Sequence, residues 1–448
     1  MDIVFYALAI GIFIIFSTFG ITSYIEKEQR ATLISWLIAG VGGGALLLLT
    51  ELNFEIKSII LIGLGIGSLV ILSLAFLPIG RINWRNDIPG NRFDERDIMF
   101  ARARLIPGSP NYEAYYKMRP ENRKVDESTR AKPGLLSPDS KLANEYLFAS
   151  PEASFTLTEV MGVMVDGNPA DRKLILPIDE MTEYVKGLAT FFGALDVGIT
   201  ELRPYHVYSH IGRGPGIYGE EIPVDHAYAI AFTVEMAHEM VAANPNPPGA
   251  METAKEYVEA GIVAVQLAET IRQMGYQARA HIDGNYRVIA PLVARDAGLG
   301  EIGRMSLLMT PRQGPRVRIG VVTTDLVLQV DEREPDMAMI DFCTICKKCA
   351  ENCPSKSISF EDRERVDGAL RWRINPESCF MYWNVVGTDC GICMTVCPYS
   401  HPDSVHHNLL RWGIQRSGFV RRGAVWMDDL FYGKKPAQKD GPEWTQVP

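Results

Sequence analysis

Three long stretches without a charge open the chain: Ile3 to Ile21, Ala31 to Thr50 and Ser58 to Gly80. At about 1.5 Å per residue each covers a hydrocarbon core of about 30 Å, so the pattern predicts three transmembrane helices. A cleaved leader is the competing reading of the first stretch. No Lys or Arg precedes it, however, and neither a small-residue cleavage motif nor a twin-arginine signal is evident. Lys27 and Arg30 lie between the first two stretches and Arg81, Arg85, Arg92 and Arg96 follow the third, against Lys57 alone on the other side. The positive-inside rule then describes a multi-pass inner-membrane protein with its C-terminal part in the cytoplasm.

Beyond the spans the periodicity changes. Residues 81–150 are rich in Arg, Pro, Asn and Tyr and read as an extended lead-in. From 151 to 335 strand-like segments (His206 to Ser209, Tyr228 to Val234, Arg316 to Thr324) alternate with helical ones (Met181 to Phe192, Thr253 to Met274, Ala290 to Ala297), which is an α/β or α+β core. Residues 336–405 form a small cysteine-bearing domain and 406–448 a Trp-rich tail. Thr253-x-x-Glu256 after the loop Asn244 to Gly249 reads as a capping box, with Gly275 as the closing cap. That places Tyr257 in a first helical turn, near the positive end of the helix dipole. Gly261, Ala264 and Ala268 follow on the same face, a small-residue row that either admits a large flat ligand or packs tightly against a sheet. Gly298-Leu-Gly300-Glu-Ile-Gly303 matches the dinucleotide pattern, but the segment before it looks helical where a strand is required, which argues against NAD.

All eight cysteines lie between Cys343 and Cys397. The first block is Cys343-x2-Cys346-x2-Cys349-x3-Cys353-Pro; the second is Cys379-x10-Cys390-x2-Cys393-x3-Cys397-Pro. Four thiolates per block, each closing on Cys-Pro, suit two 4Fe-4S clusters of the bacterial ferredoxin type, whose fourth cysteine ligates the other cluster. Crossed ligation follows: Cys343, Cys346, Cys349 and Cys397 for one cluster, Cys379, Cys390, Cys393 and Cys353 for the other. Zinc sites lack a third closely spaced cysteine and a Cys-Pro close, and disulfide frameworks belong to short secreted chains. A net charge of -9 and a pI near 5.5 argue against nucleic acid as a partner.

With these motifs in view, residues 150 to 410 resemble the cobalamin-dependent reductive dehalogenases. The likeness rests on both cysteine blocks and on Ile271 to Ala278, Ala297 to Arg304 and Thr310 to Arg318, in the same order. It implies a nitroreductase-like, corrinoid-binding α/β core joined to the two-cluster domain. It further implies replacement of a carbon–halogen bond by carbon–hydrogen, with a base-off corrinoid used as Co(I) and fed by the two clusters. By local spacing, Tyr257 matches the family's proton-donating tyrosine, Asn285 its asparagine and Arg318 its basic residue, with Arg316 as the competing choice. The residue chemistry agrees, since a guanidinium stabilises a phenolate. Glycine-rich Gly212 to Gly216 is suited to cradle corrinoid amide arms. Tyr382 and Trp383 either line the pocket or cover a cluster, and no Asp-x-His-x-x-Gly motif nominates a lower cobalt ligand.

The implied partners are an organohalide, the lipid bilayer and a reduced donor: ferredoxin, flavodoxin or a quinol-linked carrier. Glu26-Lys-Glu28 resembles the Glu-x-Glu of the separate three-helix anchor that dehalogenases use, so anchor and enzyme read as fused. Two rivals stand beside this reading: an epoxyqueuosine reductase-like enzyme, and a membrane-bound ferredoxin-like carrier without a substrate.

Overall fold

The computed structural model describes residues 1–77 and 87–447. Arg81 and Arg85, counted above for orientation, lie outside the described residues. The chain folds into two compact units, one of residues 1–82, 337–346 and 402–437, the other of 83–336, 347–401 and 438–448.

In the first unit the apolar runs form α1 (Asp2–Ile25), α2 (Gln29–Glu51) and α3 (Phe54–Phe76), all long and apolar enough to cross a membrane. The glycine-rich middle of α2 loosens into a π turn at Ile38–Gly42. Gly20 lets α1 and α2 approach closely, since a Cβ there would stand 3.1 Å from the Trp36 ring. Asn53 caps α3 by accepting from the Ile56 amide at 3.0 Å. The helix stops at Phe76, with Leu77 extended as a residue before proline prefers.

In the second unit the lead-in is helical where it was expected to be extended, with short helices at Met99–Ala103, Pro110–Met118 and Arg123–Arg130. Tyr112, Tyr115 and Tyr116 fall at i, i+3 and i+4 and bury together with Leu105, an apolar face that sparse aliphatic content concealed. Next come α4 (Glu145–Met161), which runs through the boundary expected at residue 150, and α5 (Ile178–Phe191). Then follow β1 (Asp196–Glu201), β2 (Tyr228–Glu235), α6 (Pro247–Gln273), β3 (Ala278–His281), α7 (Ala290–Asp296) and β4 (Val317–Thr324).

The four strands form one sheet in the order β1-β2-β4-β3, every pair antiparallel, so the core is α+β. Alternation sends Ile230, Phe232 and Val322 to a layer with Val263, Leu267 and Ile271 of α6. Ala229, Ala231 and Val321 face the opposite layer with Val293 and Ala294 of α7. Gly320 is required by this packing, because a side chain there would enter the Phe232 ring. The strand expected at His206 to Ser209 is absent: Pro204–His206 is a 3-10 turn and Val207 makes only an isolated bridge to Val288. A helix does precede Gly298-x-Gly300, as the argument against a dinucleotide fingerprint required.

The chain then supplies α8 (Met337–Cys346) to the first unit and α9 (Pro376–Val386) to the second, and α10 (Val405–Arg416) and α11 (Gly418–Phe431) to the first.

Candidate active site

Helix α6 begins at Pro247, with Asn246 before it making no side-chain cap. Tyr257 therefore sits about three turns inside the helix rather than in its first turn, and the dipole does not act on it. Pro at the first turns starts a helix by itself, which frees Thr253 for another role. Its hydroxyl donates to Asp389 Oδ2 at 2.6 Å and accepts from Arg318 Nη2 at 2.8 Å. Arg318, on β4, also reaches Asp389 Oδ2 at 3.4 Å, and its guanidinium carbon lies 4.9 Å from the centre of the Tyr257 ring. One guanidinium is thus held over the phenol by two anchors.

Burial raises the Tyr257 phenol above its ordinary pKa, and the Arg318 charge pulls the other way. The hydroxyl accordingly keeps its proton at neutral pH. Asp389 is raised by burial against the pull of Arg318 and Thr253, and its Oδ1 is buried without a partner. Arg316, the competing basic residue, points elsewhere: it donates to Ser400 O at 2.6 Å, Met236 O at 2.5 Å and Glu235 Oε1 at 3.1 Å. Arg316 lies just before β4 and is consumed by the Ser400 and Met236 carbonyls and the Glu235 carboxylate.

Tyr257 and Arg318 line a cavity of about 880 Å3, and Asn285, Tyr382, Trp383 and Arg213 line it too. Asn285 is committed within the wall, accepting from Arg279 Nη2 at 2.8 Å and donating to Gly162 O at 3.4 Å. Among the described residues it makes no hydrogen bond to Tyr257; it fixes the turn Asp283 to Asn285. The loop 212–216 packs on that turn, where a Cβ at Gly214 would meet Gly284 O at 3.0 Å. Glu95 shapes the loop by accepting from the Gly212 and Arg213 amides at 2.8 and 3.2 Å. Trp383 joins Phe100 and Phe380 in an aromatic cluster with centroids 5.1 to 6.1 Å apart. Gly261 does not belong to the site: a side chain there would strike Met161 of α4, so the small-residue row serves packing between helices. Ala264 and Ala268 are likewise buried in the core.

Cys353, Cys379, Cys390 and Cys393 line the same cavity. They come from both blocks, in the combination the crossed pattern requires. Burial pushes the Cys379 thiol up to about 11 and Cys390 up to about 12, and Cys393 well above the usual range, with neighbouring thiols adding repulsion. Cys353 is lowered: burial opposes ionisation, but the Ser355 hydroxyl and the backbone amides of Ser357, Ile358 and Ser355 outweigh it. Thiols that repel one another as anions suit a shared cationic cluster. No three His, Cys, Asp or Glu side chains among the described residues converge on a single ion. Cys343 and Cys346 end α8 in the first unit, and Cys349 and Cys397 belong to the second. Cys390 and Gly391 turn with φ of +62° and +64°, and a side chain at Gly391 would collide with the Asn244 amide, which abuts this loop.

Thr253, Asp389, Glu95 and Asn244 were not legible as site residues. Asp389 carried one signal, its place directly before Cys390.

These features describe an iron–sulfur protein with a large cavity. Residues 342–401 match the family model for a 4Fe-4S dicluster domain. More particularly, the chain is related to reductive dehalogenases. It is 33% identical over 291 residues to a tetrachloroethene reductive dehalogenase of Sulfurospirillum multivorans, covering 57% of this chain and 58% of that protein. A tetrachloroethene reductive dehalogenase of Desulfitobacterium hafniense is 32% identical over 197 residues, 42% of this chain and 35% of the relative. The chain thus spans about half the length of these relatives or less. The structure of the catabolic reductive dehalogenase NpRdhA superposes with a TM-score of 0.64 at 25% identity, covering 80% of this chain and 49% of that one. An epoxyqueuosine reductase of Lactococcus garvieae is also related, 28% identical over 149 residues, 32% of this chain and 40% of the other.

Proposed function

We propose that this protein is a membrane-anchored reductive dehalogenase that binds a base-off corrinoid and two 4Fe-4S clusters. The observation that carries it is the Tyr257–Arg318 pair in a cavity of about 880 Å3 that four cysteines also line. NpRdhA has been captured with 3-bromo-4-hydroxybenzoic acid, and a similar reductive dehalogenase structure is described in terms of B12-dependent dehalogenation. The proposal includes a nitroreductase-like fold for the corrinoid-binding core.

The overall change is carbon–halogen plus two electrons and one proton to carbon–hydrogen plus halide. A bound corrinoid supplies the strongly reducing metal centre that breaks the carbon–halogen bond. Arg213, Gly214 and Pro215 with Gly284 form the wall suited to its polar arms, and Tyr382 and Trp383 the wall on the cysteine side. Cys379, Cys390, Cys393 and Cys353 would hold one cluster there, and Cys343, Cys346, Cys349 and Cys397 would hold the other. The Tyr257 hydroxyl retains its proton until carbon becomes basic, then donates it. Arg318 stabilises the phenolate left behind, while Thr253 and Asp389 keep the guanidinium in place. Phe100, Phe380 and Trp383 exclude water that would otherwise compete as proton source.

The test is halide release from haloaromatics and haloalkenes by corrinoid-reconstituted protein with reduced viologen. Tyr257→Phe should lower turnover by at least about 10²-fold, the usual worth of a positioned acid, with cofactor spectra intact. Turnover at the parent rate would remove the assignment. The cavity speaks against a simple electron carrier, and the Tyr257–Arg318 pair favours dehalogenation over epoxyqueuosine reduction. Absence of any bound corrinoid would sink both enzyme readings.

The side of the membrane belongs to this proposal as well. Arg92 and Arg96 are engaged inside the second unit, by Val207 O, Tyr208 O and Ile222 O and by Asp94, which weakens their weight as topology signals. Lys27, Arg30 and the exposed Arg416 and Arg422 keep the positive charge at the α1–α2 loop and C-terminal helices, supporting a cytoplasmic face in the inner membrane. A C-terminal reporter that is active only outside the cytoplasm would reverse it.

A further inference from the structure

In α10 and α11 the usual amphipathic order is inverted. Val405, Leu409 and Trp412 recur at i, i+4 and i+7 on α10 and are 80, 66 and 46% exposed, while Phe419 and Trp426 on α11 are 41 and 65% exposed. On a helix bathed in water such a stripe is polar. The polar side chains lie beneath instead. Buried His407 pairs with Glu26 at 3.1 Å, and Arg421 pairs with Asp341 at 2.5 Å.

The pair is pinned at the ends of the membrane helices. Ser417 Oγ donates to Leu74 O of α3 at 2.7 Å, Arg30 Nε donates to Leu430 O at 2.9 Å, and Phe19 meets Phe431 edge-on at 5.1 Å. Trp412 meets exposed Phe76, the last residue of α3, edge to face with centroids 6.2 Å apart. The outward stripe therefore continues the apolar surface of a membrane-spanning helix. Arg416 lies 4.1 Å over the Trp412 ring, and Arg422 is exposed beside the stripe, cations of the kind that pair with lipid phosphates.

We propose that α10 and α11 form an interfacial membrane element whose outer face, Val405, Leu409, Trp412, Phe419 and Trp426, lies in the headgroup layer of a phospholipid bilayer. This rests on the reading of α1 to α3 as membrane spans. Trp and Arg are the side chains that suit this depth, one end apolar and the other wet. Because α8, which carries Cys343 and Cys346, packs on both helices, the element also fixes these two cysteines close to the membrane plane.

The test uses the full chain in vesicles of phosphatidylcholine and phosphatidylglycerol. Tryptophan quenching by phosphatidylcholine brominated at the upper acyl carbons is compared with quenching by aqueous acrylamide, in the parent and in Trp412→Phe, Trp426→Phe and Trp36→Phe. Trp36, in α2, reports on the spans alone. Expected is that all three substitutions remove bromolipid-quenchable emission. If only Trp36→Phe does so, and the other two remove emission quenched by acrylamide, the interfacial element is wrong and the spans stand. If Trp36→Phe also removes only acrylamide-quenched emission, both readings fall.

Discussion

Arg318→Met isolates the electrostatic half of the proposed proton transfer. The guanidinium stands 4.9 Å from the Tyr257 ring, and at an effective dielectric of about 20 a unit charge at that range acts on a full phenolate charge with roughly 3 kcal/mol. Methionine keeps the apolar stem and removes the charge. Proton donation that leaves an uncompensated phenolate should therefore slow by about 10²-fold. The pH dependence has a definite sign. Arg318 lowers the Tyr257 pKa against burial, so its removal moves that pKa further up. The donor is active in its protonated form, so the basic limb of kcat must move to higher pH while kcat on the plateau falls.

The substitution also strands Asp389, a buried carboxylate whose loss of partner typically costs about 3–5 kcal/mol. Arg318→Met/Asp389→Asn therefore separates folding from chemistry: the double variant should recover stability and corrinoid content without recovering kcat. Steady-state kinetics with reduced viologen at several pH values, alongside thermal melting, make the comparison. An unchanged kcat in either variant, or a basic limb displaced to lower pH in Arg318→Met, would refute the reasoning.

Cys353→Ser should cost the protein the cluster shared with Cys379, Cys390 and Cys393 while the other persists, so iron per chain falls by half and one electron-paramagnetic signal disappears. Loss of both signals together would argue against separate ligand sets. Gly391→Ala forces a side chain against the Asn244 amide at a left-handed residue, a strain of about 1–3 kcal/mol; it should lower the melting temperature and speed iron loss to a chelator, and Asn244→Ala in the same chain should return part of it. The buried pair His206–Asp296, 2.8 Å apart, sets an acid limit on stability. Burial lowers the His206 pKa, so its contribution is complete above about 6.5 and is lost as pH falls below that. Burial raises Asp296, but hydrogen bonds from His206, Arg295 and Tyr205 outweigh it and hold the carboxyl below its usual range, so that contribution is present above about 3.9 and fails at lower pH. Urea midpoints should decline from pH 7 to pH 5, and less steeply in His206→Gln; a midpoint that rises over that interval would contradict the His206 shift.

What the sequence disclosed divides along a physical line. Signals that are local in sequence were legible: uncharged runs long enough to span, cysteine spacing, and the glycine that closes α6 at φ +86°. Strand β2 was legible because its apolar residues run unbroken through a sheet covered on both faces. Strands β1 and β3 were not, being shorter and carrying Gly198 or Arg279 and His281 among the apolar residues; their state is set by partners far along the chain. The start of α6 was misplaced because Thr253-x-x-Glu256 mimics a cap, whereas Pro247 and Pro248 already open the helix. Family likeness pointed to Tyr257 and Arg318, which the fold places together beside one cavity, and only the fold separated Arg318 from Arg316.

The residues that escaped the sequence reading are those whose chemistry exists only across long chain separations. Asp389 is ordinary as the residue before a cluster cysteine until Thr253 and Arg318 arrive beside it from α6 and β4. Its position then ties two functions that look separate in sequence. The loop that offers Cys390 to a cluster is the same loop that holds the guanidinium over Tyr257, so a shift in the cysteine loop must shift the Arg318 anchor as well. Iron removal should consequently loosen the proton-donating pair even though neither Tyr257 nor Arg318 is a predicted cluster ligand. Under the proposed function, the turn with two successive left-handed residues that abuts buried Asn244 would serve the proton donor as well as the cluster.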